Sequence, residues 1–476
     1  MRNLVAGIDS STQSCKVMIR DADTGQLVRS GVARHYAGTE IDPNVWWAAL
    51  QAAIKQAGGV EDVQAISIGG QQHGMIALDE DGNVVRDALL WNDTRSGQSA
   101  HDLIEELGDG DAVSGRSAWA QRIGLVPVAS FTATKIRWMA ENEPENMART
   151  AAIALPHDWL TWKLRGATDI SELVTDRSDA SGTGYFNSVT NEYDRDILAM
   201  VSPRATDLVV PRIAQVNEAI GEAHGVGIDA LVGPGMGDNA GAAFGLEVGP
   251  NEPIFSIGTS GVVTQVLEHQ IADESGAVAG FADATGRFLP LIATLNASRV
   301  LDAYAQLLNV THEEFSRLAL AASPGAEGLV CVPYLEGERT PDFPNARGAL
   351  HGISLKNFTK ENVARAAVEG MLCGVGEGIE ALKSLGARPE SIRLIGGGAQ
   401  SEAVRQIAPA VFGIPVIVPE HGEYVADGAA RQAAWVLKGT DAPPQWVPRL
   451  QSRFEKAHQP RIREQYDSAK SLFVNH

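Results

Sequence analysis

The sequence predicts an α/β protein built from two related halves. Its 476 residues exceed what one ordinary hydrophobic core holds, so we expect two domains. Two short units share a pattern of apolar strand, loop of small polar residues and second strand, and they occur at 7–12 and 256–261. Further along the chain, glycine-rich loops follow apolar strands and precede helical patterns. An opening unit that recurs half a chain later indicates two halves of common architecture.

Composition narrows the class of protein. An apolar fraction of 44% and a charged fraction of 21% are typical of a soluble globular protein. The net charge of −20 argues against a nucleic-acid partner, which would usually meet a basic face. No apolar run approaches the roughly 18 residues of a membrane span, and no signal peptide is visible. Three scattered cysteines suit neither a disulfide framework nor a zinc site, so we expect a cytoplasmic location.

The first recurring unit predicts a β-hairpin with a polar tip. An apolar strand at 4–8 leads into the loop 9–14, which carries Asp9 and several hydroxyl groups, and a second strand follows at 16–20. Amides and hydroxyls at such a tip can hold phosphate oxygens, and Asp9 could hold a hydrated divalent cation such as magnesium. An ordinary polar turn is the alternative, but the second unit at 256–261 favours a shared function.

The stretch from Gly233 to Gly245 places one acid, Asp238, among glycines. An apolar strand at 230–232 precedes it and a helical pattern of small residues follows at 240–246. Glycines let backbone and substrate approach closely, and a helix N-terminus favours an ionised carboxylate. Asp238 could therefore act as a general base, or it could simply cap the helix.

Two further polar elements are candidates for binding. Gln72 and His73, between glycines at the end of a predicted strand, offer the donors and acceptors that sugar hydroxyls need, although a structural turn histidine is equally consistent. Three glycines at 396–398 follow a strand and precede a helix that begins near Glu402, as in a nucleotide-binding loop. The polar segment 176–185 is predicted as a loop, either lining a cleft or on the plain surface. The C-terminal residues 443–476 are predicted as a surface helix.

The motifs also exclude two nucleotide-binding classes and resemble a third. No G-x-G-x-x-G opens a first βαβ unit, and no Walker-type loop occurs. The chain resembles, over essentially its whole length, the FGGY family of carbohydrate kinases, which is related to actin, hexokinase and Hsp70. The resemblance is carried by the two hairpins, the adenosine-type loop 396–401, and two family signatures that are similar to 130–142, with Lys135 and Trp138, and to 348–369.

The resemblance implies two actin-like (ribonuclease H-like) domains flanking a catalytic cleft. Residues 1–245 would bind the sugar and residues 246–476 the nucleotide. Family members that phosphorylate D-xylulose at its 5-hydroxyl match best, through the stretches 70–74, 90–95 and 334–341. The chain departs from the family at Gln72, where Met is frequent, and at Ser11, where Gly is usual.

The resemblance also implies individual roles. Asp238 would accept the proton of the sugar hydroxyl as that oxygen attacks the γ-phosphate of ATP, and Asp9 would position magnesium, largely through water. The ketose would be bound by Gln72, His73, Asp238 and Asn239. Contacts to ATP would come from Ser11, Thr12, Gln13, Gly258, Thr259, Gly397, Gly398, Ala399 and Ser401. A homodimer is the family's usual state. Two alternatives stay open: another sugar or polyol specificity within the family, such as ribulose, gluconate or glycerol, and a non-catalytic sugar sensor on the same fold.

Overall fold

The structure, a computed structural model, describes residues 2–447 and 450–473. It falls into two compact units, as the length predicts. The first comprises residues 1–247, 268–289 and 422–448, and the second comprises 248–267, 290–421 and 449–476. Residues 422–448 pack with the first unit, so the compact units do not follow a single division of the chain near 245. The assignment of sugar and nucleotide to the two domains stays a prediction.

The first unit is built around a mixed sheet that contains the predicted hairpin. Its strands run in the order Leu231–Val232, Val63–Gly70, Leu4–Ser10, Ser14–Asp21 and Leu27–Arg34, with Met236–Gly237 also pairing to Val63–Gly70. The last three of the ordered strands form an antiparallel meander. The remaining pairings are parallel. Val63–Gly70 runs parallel to Leu4–Ser10, and both Leu231–Val232 and Met236–Gly237 run parallel to Val63–Gly70. Apolar residues line this sheet because its central strands are buried on both faces.

The second unit repeats this arrangement. Its sheet runs through Phe288–Thr294, Gly261–Thr264, Ile254–Ile257, Ile392–Ile395, Val416–Pro419 and Gln451–Phe454. The strand at 254–257 again pairs antiparallel with the next strand and parallel with a strand much later in the chain. The strands at 392–395 and 416–419 continue the parallel part. The same order of antiparallel and parallel neighbours in both units confirms the two related halves predicted from the recurring hairpins.

Helices cover these sheets. In the first unit they are Asn44–Gln56, Gly97–Leu107, Ala112–Ile123, Thr132–Asn142, Pro144–Arg149, Pro156–Arg165, Arg177–Ala180, Arg195–Val201, Asp238–Gly245 and Tyr424–Lys438. In the second they are Ser298–Leu308, His312–Ala321, Lys360–Ser384, Glu402–Phe412 and Pro460–Phe473. Across 2–447 and 450–473, no helix combines the length and apolarity needed to cross a bilayer.

Short paired strands complete the first unit. They are Glu40–Ile41 with Ala88–Leu89, Ile76–Leu78 with Ala152–Ala154, Val174–Thr175 with Arg212–Ile213, and Phe186–Asn187 with Glu192–Tyr193. A strand at Ala279–Ala282 also belongs to it. In the second unit, Val330–Val332 pairs with Ala349–His351.

The C-terminal prediction of one surface helix is wrong for the described part. Residues 451–454 form a strand that pairs antiparallel with 416–419, and the helix begins only at Pro460. That helix also buries Ile462, Tyr466 and Ala469, so it contributes to packing rather than lying free on the surface. Residues 448, 449 and 474–476 lie outside the described part of the chain.

Glycines allow the helix that begins at Asp238 to approach the helix Tyr424–Lys438 closely. A Cβ atom at Gly428 would collide with the backbone oxygen of Gly241, and one at Gly245 would collide with the oxygen of Tyr424. Backbone atoms cannot retreat as a flexible side chain can. Gly245 and Gly428 therefore permit this close packing, and they fix where the helix at 238–245 lies.

We expect Gly428→Ala to lower the free energy of unfolding by about 1 to 3 kcal/mol, because the added methyl overpacks a backbone contact. Urea denaturation followed by circular dichroism would measure the loss. Gly97→Ala is the control, since a Cβ at this first residue of a helix meets no atom within 4 Å. Equal stability of Gly428→Ala and the wild type would contradict the close-packing account.

Candidate active site

The parallel strands of the first unit bring the predicted residues to one edge of its sheet. In the pairing register, Asp9 lies beside Gly69 on one side, and Met236 lies beside Gly69 on the other. Ligands of open α/β sheets bind beyond the carboxyl ends of parallel strands. Asp9, the loop after Gly70 and Asp238 therefore converge at one place, although they lie far apart in sequence.

Asp9 is a buried carboxylate, and only one of its two oxygens has a hydrogen-bond partner in the described chain. Its Oδ2 accepts a 3.3 Å hydrogen bond from Lys16 Nζ, and the same amine pairs with Glu423 at 2.6 Å. Asp9 Oδ1 is buried without a hydrogen-bond partner among the described residues. Burial raises the pKa of Asp9 to about 6 against the opposing charge of Lys16, so the group is mostly ionised at neutral pH. An ionised oxygen without a protein partner fits a cation ligand.

Two neighbours of Asp9 that were not assigned individual roles also have unpartnered groups among the described residues. Ser10 Oγ and both polar atoms of the Gln71 side chain are also buried without a partner in the described chain. The backbone N–H of Gln71 donates to the carbonyl oxygen of Ser10 at 3.1 Å, so the two residues are adjacent. Buried polar groups nearly always have a partner, and unsatisfied ones mark a place for water, an ion or a ligand.

Asp238 is the first residue of its helix, and Gly237 occupies the N-cap position. The interpretation of Asp238 as an N-cap is therefore wrong. Its Oδ1 instead accepts hydrogen bonds from the backbone N–H of Asn239 at 2.7 Å and from Asn239 Nδ2 at 2.9 Å. The residue is partly exposed although protein surrounds it densely. Burial, and secondarily the charge of Asp9, raise the pKa of Asp238 to about 7, which suits a general base at neutral pH.

Gln72 and Asn239 form a hydrogen-bonded pair beside Asp238. Asn239 Nδ2 donates to Gln72 Oε1 at 3.0 Å, and Gln72 Nε2 donates to the carbonyl oxygen of Ser178 at 3.2 Å. Gln72 is only 4% exposed. Both polar atoms of Gln72 are thus engaged within the protein, and the side chain holds Asn239 in place. A direct contact of Gln72 with a sugar stays a prediction.

His73 is held in a strained and specific position. Its backbone φ of 69° lies in the left-handed region, which few residues other than glycine adopt. Its Nδ1 lies 2.9 Å from the carbonyl oxygen of Gly182, which assigns the proton to Nδ1 and leaves Nε2 as an acceptor. Phe131 and Phe281 pack against the imidazole at ring-centroid distances of 5.2 and 5.4 Å. Such a backbone occurs at functional sites and also in turns, so a role of His73 in binding stays a prediction.

The first hairpin tip is only partly available to a ligand. The backbone N–H and hydroxyl of Ser11 both donate to the carbonyl oxygen of Ser14, at 3.0 and 2.9 Å, so they close the turn. Thr12 Oγ1 accepts from Trp91 Nε1 at 3.2 Å, which leaves the hydroxyl proton for another acceptor. Gln13 is exposed. Among the predicted phosphate contacts of this hairpin, Thr12 and Gln13 offer groups that a phosphate could use.

The second hairpin tip lies in the second unit. Its strands are Ile254–Ile257 and Gly261–Thr264, and Thr259 is exposed at the tip. The carbonyl oxygen of Gly258 accepts from the backbone N–H of Ser298 at 2.9 Å, which anchors the tip to the helix Ser298–Leu308. The Thr259 side chain is therefore presented by a fixed turn.

The predicted nucleotide loop borders a large cavity of the second unit. The cavity, about 760 Å³, is lined by Gly397, Gly398 and Ser401 of the loop and by the helices beginning at Ser298 and His312. A Cβ at Gly397 would meet no atom within 4 Å, so this residue leaves open space. Ala399 is buried behind the loop. Ser401 caps the helix Glu402–Phe412 by accepting from the N–H of Val404, and its hydroxyl lies 3.0 Å from that of Ser316.

A buried cluster of charge beneath Asp238 was missed by sequence reasoning. The segment 176–185, predicted as a loop, contains the short helix Arg177–Ala180 and is buried throughout. His157 Nε2 lies 3.3 Å from an oxygen of Asp176 and 3.2 Å from one of Asp179, and His157 Nδ1 lies 3.5 Å from Asp158. The segment can be buried although polar because its charged groups face one another.

Comparison with known proteins identifies the family. The model of the FGGY carbohydrate kinase N-terminal domain matches residues 4–245, and that of the C-terminal domain matches residues 254–437. The chain belongs to the FGGY family of carbohydrate kinases. The predicted family and its two-domain fold are thereby confirmed.

Several FGGY relatives resemble the chain over most of its length. A xylulose kinase of Streptomyces coelicolor is 43% identical over 92% of this chain and 89% of its own. One of Streptomyces rubiginosus is 44% identical with the same coverage. A crystal structure of xylulose kinase from Bifidobacterium adolescentis is 46% identical, superposes with a TM-score of 0.93, and covers 98% of this chain and 99% of its own.

We expect Asp9→Asn to lower the pKa of Asp238 in this FGGY chain, because the charge of Asp9 opposes ionisation of Asp238. Carboxyl-carbon NMR titration of the protein without ligands would measure the shift. Asp81→Asn, which removes the same charge from an exposed turn, is the control. An unchanged pKa of Asp238 in Asp9→Asn would show that the two carboxylates do not interact.

Proposed function

We propose that the chain transfers the γ-phosphoryl group of ATP to the 5-hydroxyl of D-xylulose. Similarity to xylulose kinases over nine-tenths of the chain supports the substrate. The observation that carries the chemistry is Asp238, a partly exposed carboxylate at a helix start whose pKa is raised to about 7. A base with a pKa near the working pH is ionised often enough to act and basic enough to take a hydroxyl proton.

The reaction needs one proton transfer and one displacement. Asp238 accepts the proton of the sugar hydroxyl as that oxygen forms its bond to the γ-phosphorus. The bond from the γ-phosphorus to the oxygen that bridges to the β-phosphate breaks, and ADP leaves. Phosphoryl transfer depends mainly on positioning and electrostatic stabilisation. The two hydrogen bonds from Asn239 to Asp238 Oδ1 fix the direction of the carboxylate.

The sugar is oriented by groups around Asp238. His73 Nε2, as an acceptor, suits a sugar hydroxyl, and the Nδ1 contact to Gly182 fixes the plane of the ring. The Oδ1 atom of Asn239 is a second acceptor, held by Gln72 through the amide nitrogen. Ketoses present several hydroxyl donors, which acceptors at fixed positions can discriminate.

Several groups of the chain that have no protein partner among the described residues could bind ATP and magnesium. The adenosine would lie in the cavity bordered by Gly397 and Gly398, and Thr12 and Thr259 would donate to phosphate oxygens. Magnesium, bound with the nucleotide, neutralises charge on the transferring phosphates. Asp9 fits this ion because its Oδ1 is ionised and has no partner in the described chain.

The decisive variant is Asp238→Asn, which keeps the shape of the side chain and removes its basicity. We expect kcat to fall by about 100-fold or more, the scale of a lost general base. In the wild type, kcat/KM should rise with pH through a midpoint near 7, because Asp238 must be ionised to act. Coupled measurement of ADP release from pH 5.5 to 9 would test both. Wild-type kcat in a folded Asp238→Asn protein would show that Asp238 is not the general base.

Substrate choice is tested separately by a panel of D-xylulose, ribulose, gluconate and glycerol with magnesium-ATP. We expect the highest kcat/KM with D-xylulose. Equal or better turnover of another member would assign another specificity within the family. Absence of sugar-dependent ADP release with all four would favour a sensor.

The nucleotide site predicts a different kinetic signature. Gly397→Ala adds a methyl group to the wall of the cavity without touching protein atoms. We expect KM for ATP to rise severalfold while KM for the sugar and thermal stability stay unchanged. Gly439→Ala would be a poor control because its φ of 57° is strained for alanine, so Gly97→Ala serves instead. Unchanged KM for ATP would place the nucleotide elsewhere.

A further inference from the structure

We infer that His157 is a positioning residue for Asp238: a buried side chain that holds the segment 176–179 against the strand end and, through it, the catalytic carboxylate. This inference rests on the proposed role of Asp238 as the base. His157 touches no reacting atom in this account. It acts through a continuous series of hydrogen bonds and packing contacts within the first unit.

The backbone around His157 leaves space for its ring. A Cβ at Gly70 would lie 2.9 Å from His157 Cβ, and one at Gly235 would lie 2.9 Å from His157 Nδ1. Gly70 ends the strand that precedes Gln72 and His73, and Gly235 has a φ of 84° just before Met236–Gly237. His157 therefore packs against both backbone segments that lead into the active site, with its Cβ at Gly70 and its ring at Gly235.

Hydrogen bonds continue from His157 to Asp238. His157 Nε2 contacts Asp176 Oδ1 at 3.3 Å, and the carboxylate of Asp176 accepts the backbone N–H of Ser178 at 2.7 Å. Ser178 then makes two contacts with the site. Its hydroxyl oxygen accepts the N–H of Gly237 at 3.1 Å, and its carbonyl oxygen accepts from Gln72.

Both branches end at the base. Gly237 is the N-cap of the helix whose first residue is Asp238, so its N–H fixes the backbone directly before the carboxylate. Gln72 holds Asn239, and Asn239 donates to Asp238 Oδ1. A shift of the segment 176–179 would thus move Asp238 by two routes.

The charge of His157 is what keeps this segment buried. Asp158, Asp176 and Asp179 surround the ring, and all are nearly or wholly buried. Burial lowers the pKa of His157, but the charges of Asp158 and Asp179 and the bond to Asp176 outweigh it and raise the pKa to about 10. Burial also raises the pKa of Asp179 well above its usual range. Without an imidazolium, the three acidic side chains would have no positively charged partner in this buried place.

The test is a double-mutant cycle with His157→Gln, Asp238→Asn and the combination, measured in the full-length chain with D-xylulose and magnesium-ATP. His157→Gln should lower kcat by about 10- to 100-fold, the scale of a misplaced catalytic group, with KM for ATP unchanged. In the Asp238→Asn background, the same substitution should cost less than about threefold, since residues that act as a unit are not additive. His157→Lys, which restores a positive charge, should recover much of the loss.

Ser178→Ala tests the same contacts with less disturbance, in case His157→Gln does not fold. It removes only the oxygen that holds Gly237, and we expect kcat to fall severalfold. Thr183→Val is the matched control, because its buried hydroxyl bonds within the same segment, to Ala180 and Tyr185. Equal kcat in Ser178→Ala and Thr183→Val would overturn the inference.

Three other outcomes would also overturn it. Wild-type kcat in a folded His157→Gln, or losses that multiply in the combined variant, would show that His157 does not act through Asp238. Elemental analysis could also find one metal ion per wild-type chain and none in His157→Gln, which would make the cluster a metal site. If Asp238→Asn itself kept wild-type kcat, the proposed role of Asp238 as the base would be wrong. If Asp238→Asn lost activity as expected and His157→Gln kept wild-type kcat, only the positioning role of His157 would be wrong.

Discussion

The site depends on the parallel pairing of the strand Val63–Gly70 with its two neighbours. Pairing with Leu4–Ser10 brings Asp9 to the edge of the sheet, and pairing with Met236–Gly237 brings Asp238 there from the other side. The loop after Gly70 lies between them. Because the register of a sheet is fixed by its buried face, the separation of the two carboxylates is set by the core and not by the loops. The repulsion between Asp9 and Asp238 therefore follows from the sheet register, and it helps to raise the pKa of Asp238.

The chain accepts several costly features to build this edge. Carboxylates are buried at Asp9, Asp158, Asp176 and Asp179, and His73 adopts a left-handed backbone. Part of this cost is offset locally, by Lys16 at Asp9, by His157 among the acids beneath, and by the Gly182 contact at His73. Glycines provide the room for these compensations, because the imidazoles of His73 and His157 lie against bare backbone. Buried polar groups of this kind are tolerated only when their partners are in place.

Local patterns in the sequence predicted much of the fold and part of the site. The hairpin at Asp9 and the helix at Glu402 follow from apolar runs, capping residues and glycines within a few positions. The cluster at His157 could not be predicted from such local patterns. Its partners Asp176 and Asp179 come from a separate segment, 176–185, which has the composition of an exposed loop. Its one available signal was a histidine and an aspartate in succession at a helix start. The function of Gln72 as a support for Asn239 likewise depends on a contact across 167 residues.

The most direct measurement is a crystal structure of the chain with D-xylulose and a non-hydrolysable ATP analogue. An oxygen of Asp238 should lie about 3 Å from the 5-hydroxyl oxygen of the sugar, within reach of the proton it accepts. The γ-phosphorus position should lie on the far side of that hydroxyl from the carboxylate. A different side chain at hydrogen-bond distance from the 5-hydroxyl, with Asp238 turned towards protein groups only, would contradict the account.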